Sequence, residues 1–403
     1  TNADLIQEAD YMLVYAAYEQ GRPNADELLK DYLEEYPASR HSDEIGYMIG
    51  SVHFKRGEYE KAIFWFNEAD IDMLSPEQQE AYSFRLAYSL LQTGEMEKAR
   101  GYFARIEQVG DKYKEASTYY VAYIDYAMGN YNNALIEFSR LKESPKYREQ
   151  SQYYIAQIYF IQSKYEKVVK EGEELLSLYP DSKNNSEMYR IVGDSYYHLG
   201  DQEKAIRMLS KYVSSTENPL RSDLYILGVC YFNKRNYSNT VNALSRTVRQ
   251  NDELTQNAYL YLGQSYLKLG DKNNARMAFE AAATSSFDKQ IKEVAMYNYA
   301  LLIHETAFTG FGESVTIFED FLNDFPNSQY ADKVNDYLVE VYLTTKNYEA
   351  ALKSINKIKH PSTKILEAKQ DILFQLGTQA FANVKLDDAV SLFSQAIQLG
   401  SYN

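Results

Sequence analysis

The feature of this chain that most constrains its fold is a small residue that recurs every 34 to 39 residues along all 403 positions. The residue is usually Ala, and Val, Thr or Ser takes its place three times among the eleven occurrences. These occurrences are Ala25, Ala62, Ala99, Ala134, Val168, Ala205, Thr240, Ala275, Ser314, Ala351 and Ala389. A period of this size is typical of stacked copies of one small unit, each contacting only its neighbours. We therefore predict a single elongated array over residues 1–403.

Each copy reads as a helix, a tight turn and a second helix. A well-preserved copy contains Gly50, Gly57, Ala62 and Phe66, and the same spacings return around Gly263. The four-residue step from Ala62 to Phe66 places both side chains on one helix face, and Gly57 falls where the first helix must end in a left-handed turn. Gly50 and Ala62 are expected where two antiparallel helices cross, because minimal side chains let the backbones approach closely.

This pattern resembles the tetratricopeptide repeat family over nearly the whole chain, in about eleven units. The resemblance implies an all-α fold, a right-handed α-solenoid of helix-turn-helix units. Three residues depart from the pattern: Asp125 replaces a first-helix aromatic residue, Gly172 a second-helix aromatic residue, and Arg235 a turn glycine. The unit from about 293 to 326 carries two extra residues around Ala307 to Gly312, which predicts a longer or bulged turn.

The junctions between some units have the form aromatic-Pro-x-Ser, at residues 36–39, 179–182 and 325–328. Pro stops one helix, and Ser is expected to cap the next. These junctions resemble those of Gram-negative envelope repeat proteins of the TolA-binding and outer-membrane-assembly types. That resemblance implies a periplasmic or outer-membrane-associated protein, while any such array could use this junction and a cytoplasmic location stays open.

The family resemblance also implies that first helices line a concave surface on which partners bind. Residues three before, one after and four after the first-helix small residue are expected to point into it, and many of them are aromatic. The predicted partner-binding residues are Tyr47, Phe54, Phe84, Tyr88, Tyr119, Tyr123, Tyr126, Tyr153, Phe160, Tyr197, Tyr225 and Phe232, and the series continues to Tyr297, Phe374 and Phe381. Tyr combines a large contact area with a hydroxyl group, which suits recognition surfaces. For each single ring, packing between neighbouring units is the alternative role.

The charge distribution argues against nucleic acid as a partner. The formal net charge is −15, and residues 1–80 alone carry 18 acidic and 6 basic side chains. Such a surface repels phosphate backbones. A basic partner could bind at this end, although acidic side chains that only solvate the outer helix faces explain the same composition.

We find no pattern typical of catalysis, a cofactor or a metal. The five histidines lie in different units, and none is spaced for metal ligation with another His or with the single cysteine, Cys230. No phosphate-binding glycine loop or nucleophile motif is recognisable. Some members of the family hold a C-terminal carboxylate with clustered Lys, Arg and Asn. Here the nearest approach, Arg190 with His198 and Asn233, lies beside Asp194, which would oppose an anionic ligand.

The sequence thus predicts a noncatalytic scaffold that binds a partner protein or peptide in an aromatic-lined groove. Carbohydrate or cell-wall binding is an alternative, because Tyr with Asn and Gln can stack on sugar rings. A third alternative is the adaptor region of a larger multidomain protein, since the chain opens at Thr1 without Met and ends directly after a second helix. No apolar run approaches the roughly 18 residues of a transmembrane helix, and the oligomeric state is left open.

Overall fold

The computed structural model describes residues 2–306 and 312–401, and within those ranges the chain forms 22 α-helices and no β-strand. A short 3₁₀ turn, Ile71–Met73, joins the fourth helix to the fifth. The helices are α1 (Asn2–Glu19), α2 (Ala25–Glu35), α3 (Ser42–Lys55), α4 (Tyr59–Glu68), α5 (Pro76–Gln92), α6 (Met96–Val109), α7 (Lys114–Ala127), α8 (Tyr131–Arg140), α9 (Arg148–Ile161), α10 (Tyr165–Leu178), α11 (Asn185–His198), α12 (Gln202–Ser215), α13 (Arg221–Asn233), α14 (Tyr237–Leu244), α15 (Glu253–Lys268), α16 (Lys272–Thr284), α17 (Lys289–Thr306), α18 (Glu313–Asp324), α19 (Ala331–Thr344), α20 (Tyr348–Ile355), α21 (Thr363–Ala382) and α22 (Leu386–Gln398). The predicted all-α fold of about eleven helix pairs is confirmed.

The chain divides into two compact units, residues 1–195 and residues 196–403. In the first unit α3 packs on α4 and α5 on α6, and in the second unit α15 packs on α16 and α21 on α22. Each unit is therefore a stack of consecutive helix pairs, the arrangement of an α-solenoid. One continuous right-handed array over residues 1–403 stays a prediction.

The helices of a pair meet where the sequence places its small residues. A methyl group on Gly50 would lie 2.7 Å from ring carbons of Phe66, and the same distance separates Gly263 from the ring of Phe279. Ala62 and Phe66 are completely buried. The rings thus fill the space that the missing side chains leave, which confirms that the recurring small residues lie at helix crossings.

The turns inside the pairs show why glycine recurs there. Gly57 has a φ of +75°, as predicted for a left-handed turn that ends α3. Arg235, Ser163 and Val384 occupy the matching turn of their own units with φ of +59°, +55° and +61°. A residue with a Cβ atom in the left-handed region of backbone conformation destabilises the fold by about 1 to 2 kcal/mol. Three units therefore carry local backbone strain that their neighbours avoid.

The junction serines are not the helix caps that we predicted. The Oγ of Ser39 accepts a hydrogen bond from the backbone N–H of His41 at 3.1 Å, and α3 begins only after His41. Ser182 and Ser328 accept the same bond from the residue two positions on, at 3.2 and 3.1 Å. The prediction was wrong because the chain makes a further turn between Pro and the helix, closed by the bond from Ser39 N–H to the Tyr36 carbonyl.

Two departures from the repeat pattern have a packing explanation. Asp125 is completely buried, and Arg100 donates two hydrogen bonds to its carboxylate at 2.8 and 2.9 Å, so an ion pair fills the place of an aromatic ring. A methyl group on Gly172 would lie 2.4 Å from a methyl carbon of Val192, so α11 already fills that space. The predicted longer turn near Ala307 falls on residues 307–311, which lie outside the described residues.

We predict that Gly50→Ala destabilises the first unit, although Ala favours a helix by about 1 kcal/mol. The new methyl group overlaps the buried Phe66 ring, and overpacking costs about 1 to 3 kcal/mol. Thermal unfolding followed by circular dichroism measures the change. The control is Gly101→Ala in α6, where an added methyl group meets nothing within 4 Å, and it should stabilise. Equal stabilisation by both changes would contradict the crossing described here.

We also predict that Val384→Gly stabilises the second unit by about 1 kcal/mol, because glycine adopts a positive φ without strain. Val384 is 78% exposed, so little packing is lost. The matched control is Val390→Gly, which makes the same change at a 66% exposed position inside α22. That control should destabilise slightly, and denaturant unfolding of both variants separates relief of strain from a general effect of glycine.

Candidate functional site

In the first unit, predicted partner-binding rings form one connected network. Phe54 of α3 lies with its ring centroid 5.7 Å from that of Tyr88 in α5, and Tyr88 lies 5.4 Å from Tyr120 in α7. Phe84 of α5 lies 6.0 Å from the same Tyr120 ring. Edge-to-face and tilted contacts at these distances stabilise aromatic pairs. Three successive first helices are thereby joined through their aromatic side chains.

The network continues through α7 into α9. Tyr119 lies 5.3 Å from Tyr120, and the rings of Tyr123 and Tyr126 lie 5.8 and 4.9 Å from that of Tyr154. Tyr153 lies 5.3 Å from Tyr154 as well. The Phe138 ring of α8 connects the two halves, because it lies 6.0 Å from Tyr119 and 5.1 Å from Tyr154. We call this set, from Phe54 to Tyr154, the aromatic network.

Sequence reasoning missed two rings on which the network depends. Tyr120 and Tyr154 each lie two residues before the first-helix small residue, at Ala122 and Ala156. Tyr261 precedes Gly263 by the same two residues. This recurring tyrosine could have been recognised in the sequence. It lies next to the position three residues before the small residue, which we assigned to the partner-binding face.

Phe138 is completely buried, and the other side chains of the network are half-buried, so each of those rings both packs against a neighbouring repeat and keeps part of its surface open. Tyr119 shows the packing role, since it stacks on Tyr147 at 5.2 Å. Tyr47 differs: it is only 5% exposed, and its ring lies beneath the guanidinium of Arg85. Phe160 is likewise half-buried and lies beneath Arg190.

In the second unit the structure brings together fewer of the predicted rings. Tyr225 and Phe232 of α13 both contact Tyr261, at 6.3 and 5.0 Å. Tyr197 is half-buried. The second unit thus contains its own aromatic group, which has fewer ring contacts than the network in residues 1–195.

The remaining predicted rings divide between packing and exposure. Tyr297 is buried and stacks on Tyr330 at 4.3 Å, so it serves the core of the second unit. Phe374 and Phe381 of α21 are 55% and 64% exposed. Helical spacing alone therefore did not distinguish buried aromatic residues from exposed ones among the predicted partner-binding residues.

Burial raises the pKa of several tyrosines in the network. Burial, together with neighbouring tyrosines, raises the pKa of Tyr119 and of Tyr120 far above the ordinary value. The pKa of Tyr126 and of Tyr154 is also raised, again mainly by burial. These hydroxyl groups stay protonated at neutral pH, so the network offers neutral hydrogen-bond donors and acceptors beside apolar ring faces.

Arg190 and Glu187 form an ion pair within α11. Arg190 donates two hydrogen bonds to the Glu187 carboxylate at 2.8 and 2.7 Å, and Gln157 donates to it at 3.0 Å. Burial raises the pKa of Glu187, but the hydrogen bonds from Arg190 and Gln157 outweigh that effect and lower it. Glu187 is therefore held ionised, and it neutralises Arg190.

The described residues contain no cluster of metal ligands and no exposed thiol. Among residues 2–306 and 312–401 no group of three or more His, Cys, Asp or Glu is placed to hold a metal ion. The Cys230 thiol is buried, and burial raises its pKa to about 11. A thiol of this kind is a poor nucleophile at neutral pH. Over the same part of the chain, no helix has the length and apolar character that crossing a membrane requires.

Comparison with protein families finds two matches. Residues 44–70 match a family model described as a tetratricopeptide repeat, and residues 198–282 match the model for subunit 3 of the anaphase-promoting complex, or cyclosome. No curated protein matches the chain. The first of these models agrees with the resemblance to tetratricopeptide repeats found in the sequence, and the two matched segments together cover less than half of the chain. The finer Gram-negative envelope type stays a prediction.

Solved structures with weak similarity are also tetratricopeptide repeat proteins. One from Parabacteroides merdae is 16% identical with a TM-score of 0.40, covering 74% of this chain and 98% of that chain. The C-terminal part of a repeat protein from Cytophaga hutchinsonii is 15% identical with a TM-score of 0.41, covering 69% and 100%. YrrB, described as having an unusual peptide-binding site, is 16% identical with a TM-score of 0.41, covering 48% and 96%.

We predict a fall in stability above pH 10 to which buried tyrosines such as Tyr120 contribute. The pKa of Tyr120 is raised in the folded state, so its contribution is complete below the unfolded value near 10 and is lost as the pH rises above it. Tyr120→Phe removes one such group and should stabilise the protein at pH 11 by about 1 kcal/mol relative to pH 8. Denaturant unfolding at the two pH values measures this. An equal effect of the substitution at pH 8 and at pH 11 would contradict the prediction.

Proposed function

We propose that this protein is a noncatalytic scaffold and that the aromatic network of residues 1–195 is its docking surface for a partner peptide or protein. One observation supports this most: half-buried rings from α3, α5, α7 and α9 form a continuous series of contacts, in which the buried Phe138 ring of α8 links Tyr119 to Tyr154. A surface that combines open ring faces with neutral hydroxyl groups suits protein recognition.

The binding mechanism is preorganisation. Each ring is fixed by its neighbours, as Tyr126 is by Tyr154 at 4.9 Å and by Tyr131 at 5.9 Å. A partner that docks there loses its own conformational freedom but orders little of the scaffold, which lowers the cost of association. We expect a few of these rings to supply most of the affinity.

We further propose that the protein works in the cell envelope. The support is the resemblance of the three aromatic-Pro-x-Ser junctions to those of envelope repeat proteins. Fractionation of the native cells, with an antibody against this chain, tests the location. Recovery of the chain in the cytoplasmic fraction alone would contradict this part of the proposal without affecting the docking surface.

The docking surface is tested with an array of immobilised peptides of random sequence, each capped at both ends. We predict that the peptides that bind best lose about tenfold or more in affinity when Tyr123→Ala and Tyr126→Ala are combined, because two anchors are lost. Fluorescence polarisation measures the affinity. Tyr119 is left unchanged because it stacks on Tyr147.

The matched control is Tyr102→Ala, at a 38% exposed tyrosine on the second helix α6. It should bind as the unchanged protein does, and circular dichroism must show that all variants stay folded. Equal loss in the control, or full binding by the double variant, would contradict the proposed surface. Binding to a glycan array with no bound peptide would favour the carbohydrate alternative.

A further inference from the structure

The Arg85 side chain of α5 packs against residues of α3 in the first unit. Its guanidinium carbon is 5.6 Å from the centroid of the Tyr47 ring, and its Nη1 donates hydrogen bonds to the Tyr47 hydroxyl at 3.0 Å and the Ser51 hydroxyl at 2.6 Å. The Tyr18 hydroxyl lies beside the same guanidinium. Arg85 is half-buried, so this cation is held in place by one aromatic face and several hydroxyl groups.

All of these partners are neutral. No carboxylate within residues 2–306 and 312–401 forms an ion pair with Arg85, in a region where residues 1–80 hold 18 acidic side chains. A guanidinium has five N–H donors, and three hydroxyl groups use at most three of them. Each nitrogen of Arg85 either forms a hydrogen bond or is accessible to solvent. Arg85 therefore keeps both its charge and free donors for a ligand.

Arg85 also belongs to the face that carries the aromatic network. It lies two residues before Ala87, the same position that Tyr120 has before Ala122 and Tyr154 has before Ala156. Its neighbour Phe84 contacts Tyr120 directly, at 6.0 Å. A segment docked on the network would thus extend over Arg85 without leaving the first helices.

A second cation lies near this position. The Nζ of Lys55 is 5.3 Å from the centroid of the Tyr18 ring, and Tyr18 lies beside Arg85. Lys55 is exposed, and it too forms no ion pair in the described part of the chain. Two unpaired cations around one tyrosine are the electrostatic complement of a single anionic group.

The chain itself shows which group fits this arrangement. In α11 the Arg190 guanidinium lies 5.4 Å from the centroid of the Phe160 ring, so an arginine again covers an aromatic face. There the Glu187 carboxylate accepts hydrogen bonds from the Nε and Nη2 of that arginine, at 2.8 and 2.7 Å. The described residues thus include an arginine over an aromatic ring with a carboxylate in place and another, Arg85, without one.

We propose that Arg85, held in position by the buried Tyr47 and Ser51 and assisted by the exposed Lys55, binds the side-chain carboxylate of a glutamate or aspartate in the partner segment. The inference rests on the proposed docking surface and adds the chemistry of the partner to it. Arg offers a planar pair of donors that matches a carboxylate. Residues 1–80 are strongly acidic as a whole, so the fitting partner carries one acidic residue among apolar ones, and an acidic run is repelled.

The capped random peptides described above provide the probe. We expect the peptides that bind best to contain a single Asp or Glu, and changing it to Asn or Gln should lower affinity about tenfold or more. Arg85→Gln should lower affinity by a similar factor for the acidic peptide and have little effect on its amide variant. Arg85→Lys should recover only part of the affinity, because the ammonium group lacks the paired donors.

Arg105→Gln is the matched control, since it removes one positive charge from an exposed position on α6 in the same unit. Its affinity should stay within about twofold, which shows that net charge alone is not responsible. Peptides with a free C-terminus and no acidic side chain are tested in parallel. Binding that needs the free terminus would assign Arg85 to a C-terminal carboxylate and overturn the side-chain proposal.

The outcomes separate this inference from the docking surface. If peptides bind and depend on Tyr123 and Tyr126 but not on an acidic residue or on Arg85, the carboxylate site is overturned and the docking surface stands. Equal loss of affinity in Arg85→Gln and Arg105→Gln also overturns it. If no peptide binds, both proposals fail.

Discussion

The close crossing of two helices at a small residue is the contact on which the rest of this structure depends. At Gly50 there is no room for even a methyl group, because the buried Phe66 ring lies where it would be. The backbones can approach only because one side chain is absent, and the ring then fills the space on each side. Since an isolated helix pair cannot bury its apolar faces, each pair must stack on the next. The crossing therefore sets the spacing of every first helix and, with it, the positions of the side chains that those helices carry.

The aromatic network follows from that spacing. Rings of successive first helices come within 4.9 to 6.0 Å of one another, so the same side chains that hold neighbouring repeats together also present their remaining surface. Packing in these tyrosines therefore leaves room for the proposed recognition role. Tyr119 is nearer to the packing role because it stacks on Tyr147, whereas Tyr47 is buried beneath Arg85. Burial raises the pKa of Tyr119 and Tyr120 further above neutral pH, where tyrosine is already uncharged.

Arg85 and Arg190 place similar side chains in different electrostatic settings. Both guanidinium groups cover an aromatic ring, at 5.6 and 5.4 Å. A glutamate one helical turn away neutralises Arg190 and occupies two of its donors. Arg85 has only hydroxyl partners, and the acidic side chains of its region bond elsewhere, as Asp26 does to Arg56. The difference is one carboxylate, and it is the reason why the proposed anion site is assigned to Arg85 and not to Arg190.

By itself, the sequence determined the fold class, the number of helix pairs and the left-handed turn at Gly57, because these depend on local periods of one chain and on backbone geometry. It also located most rings of the network, since helical spacing fixes which residues share a face. Only the tertiary structure decided the remainder. Ser39 closes a turn and does not cap α3, because its hydroxyl meets the His41 N–H and, at 2.9 Å, the Tyr32 hydroxyl of α2 before the helix begins. Whether Arg85 has a counterion depends on side chains from three helices far apart in sequence, and no local pattern records such a meeting.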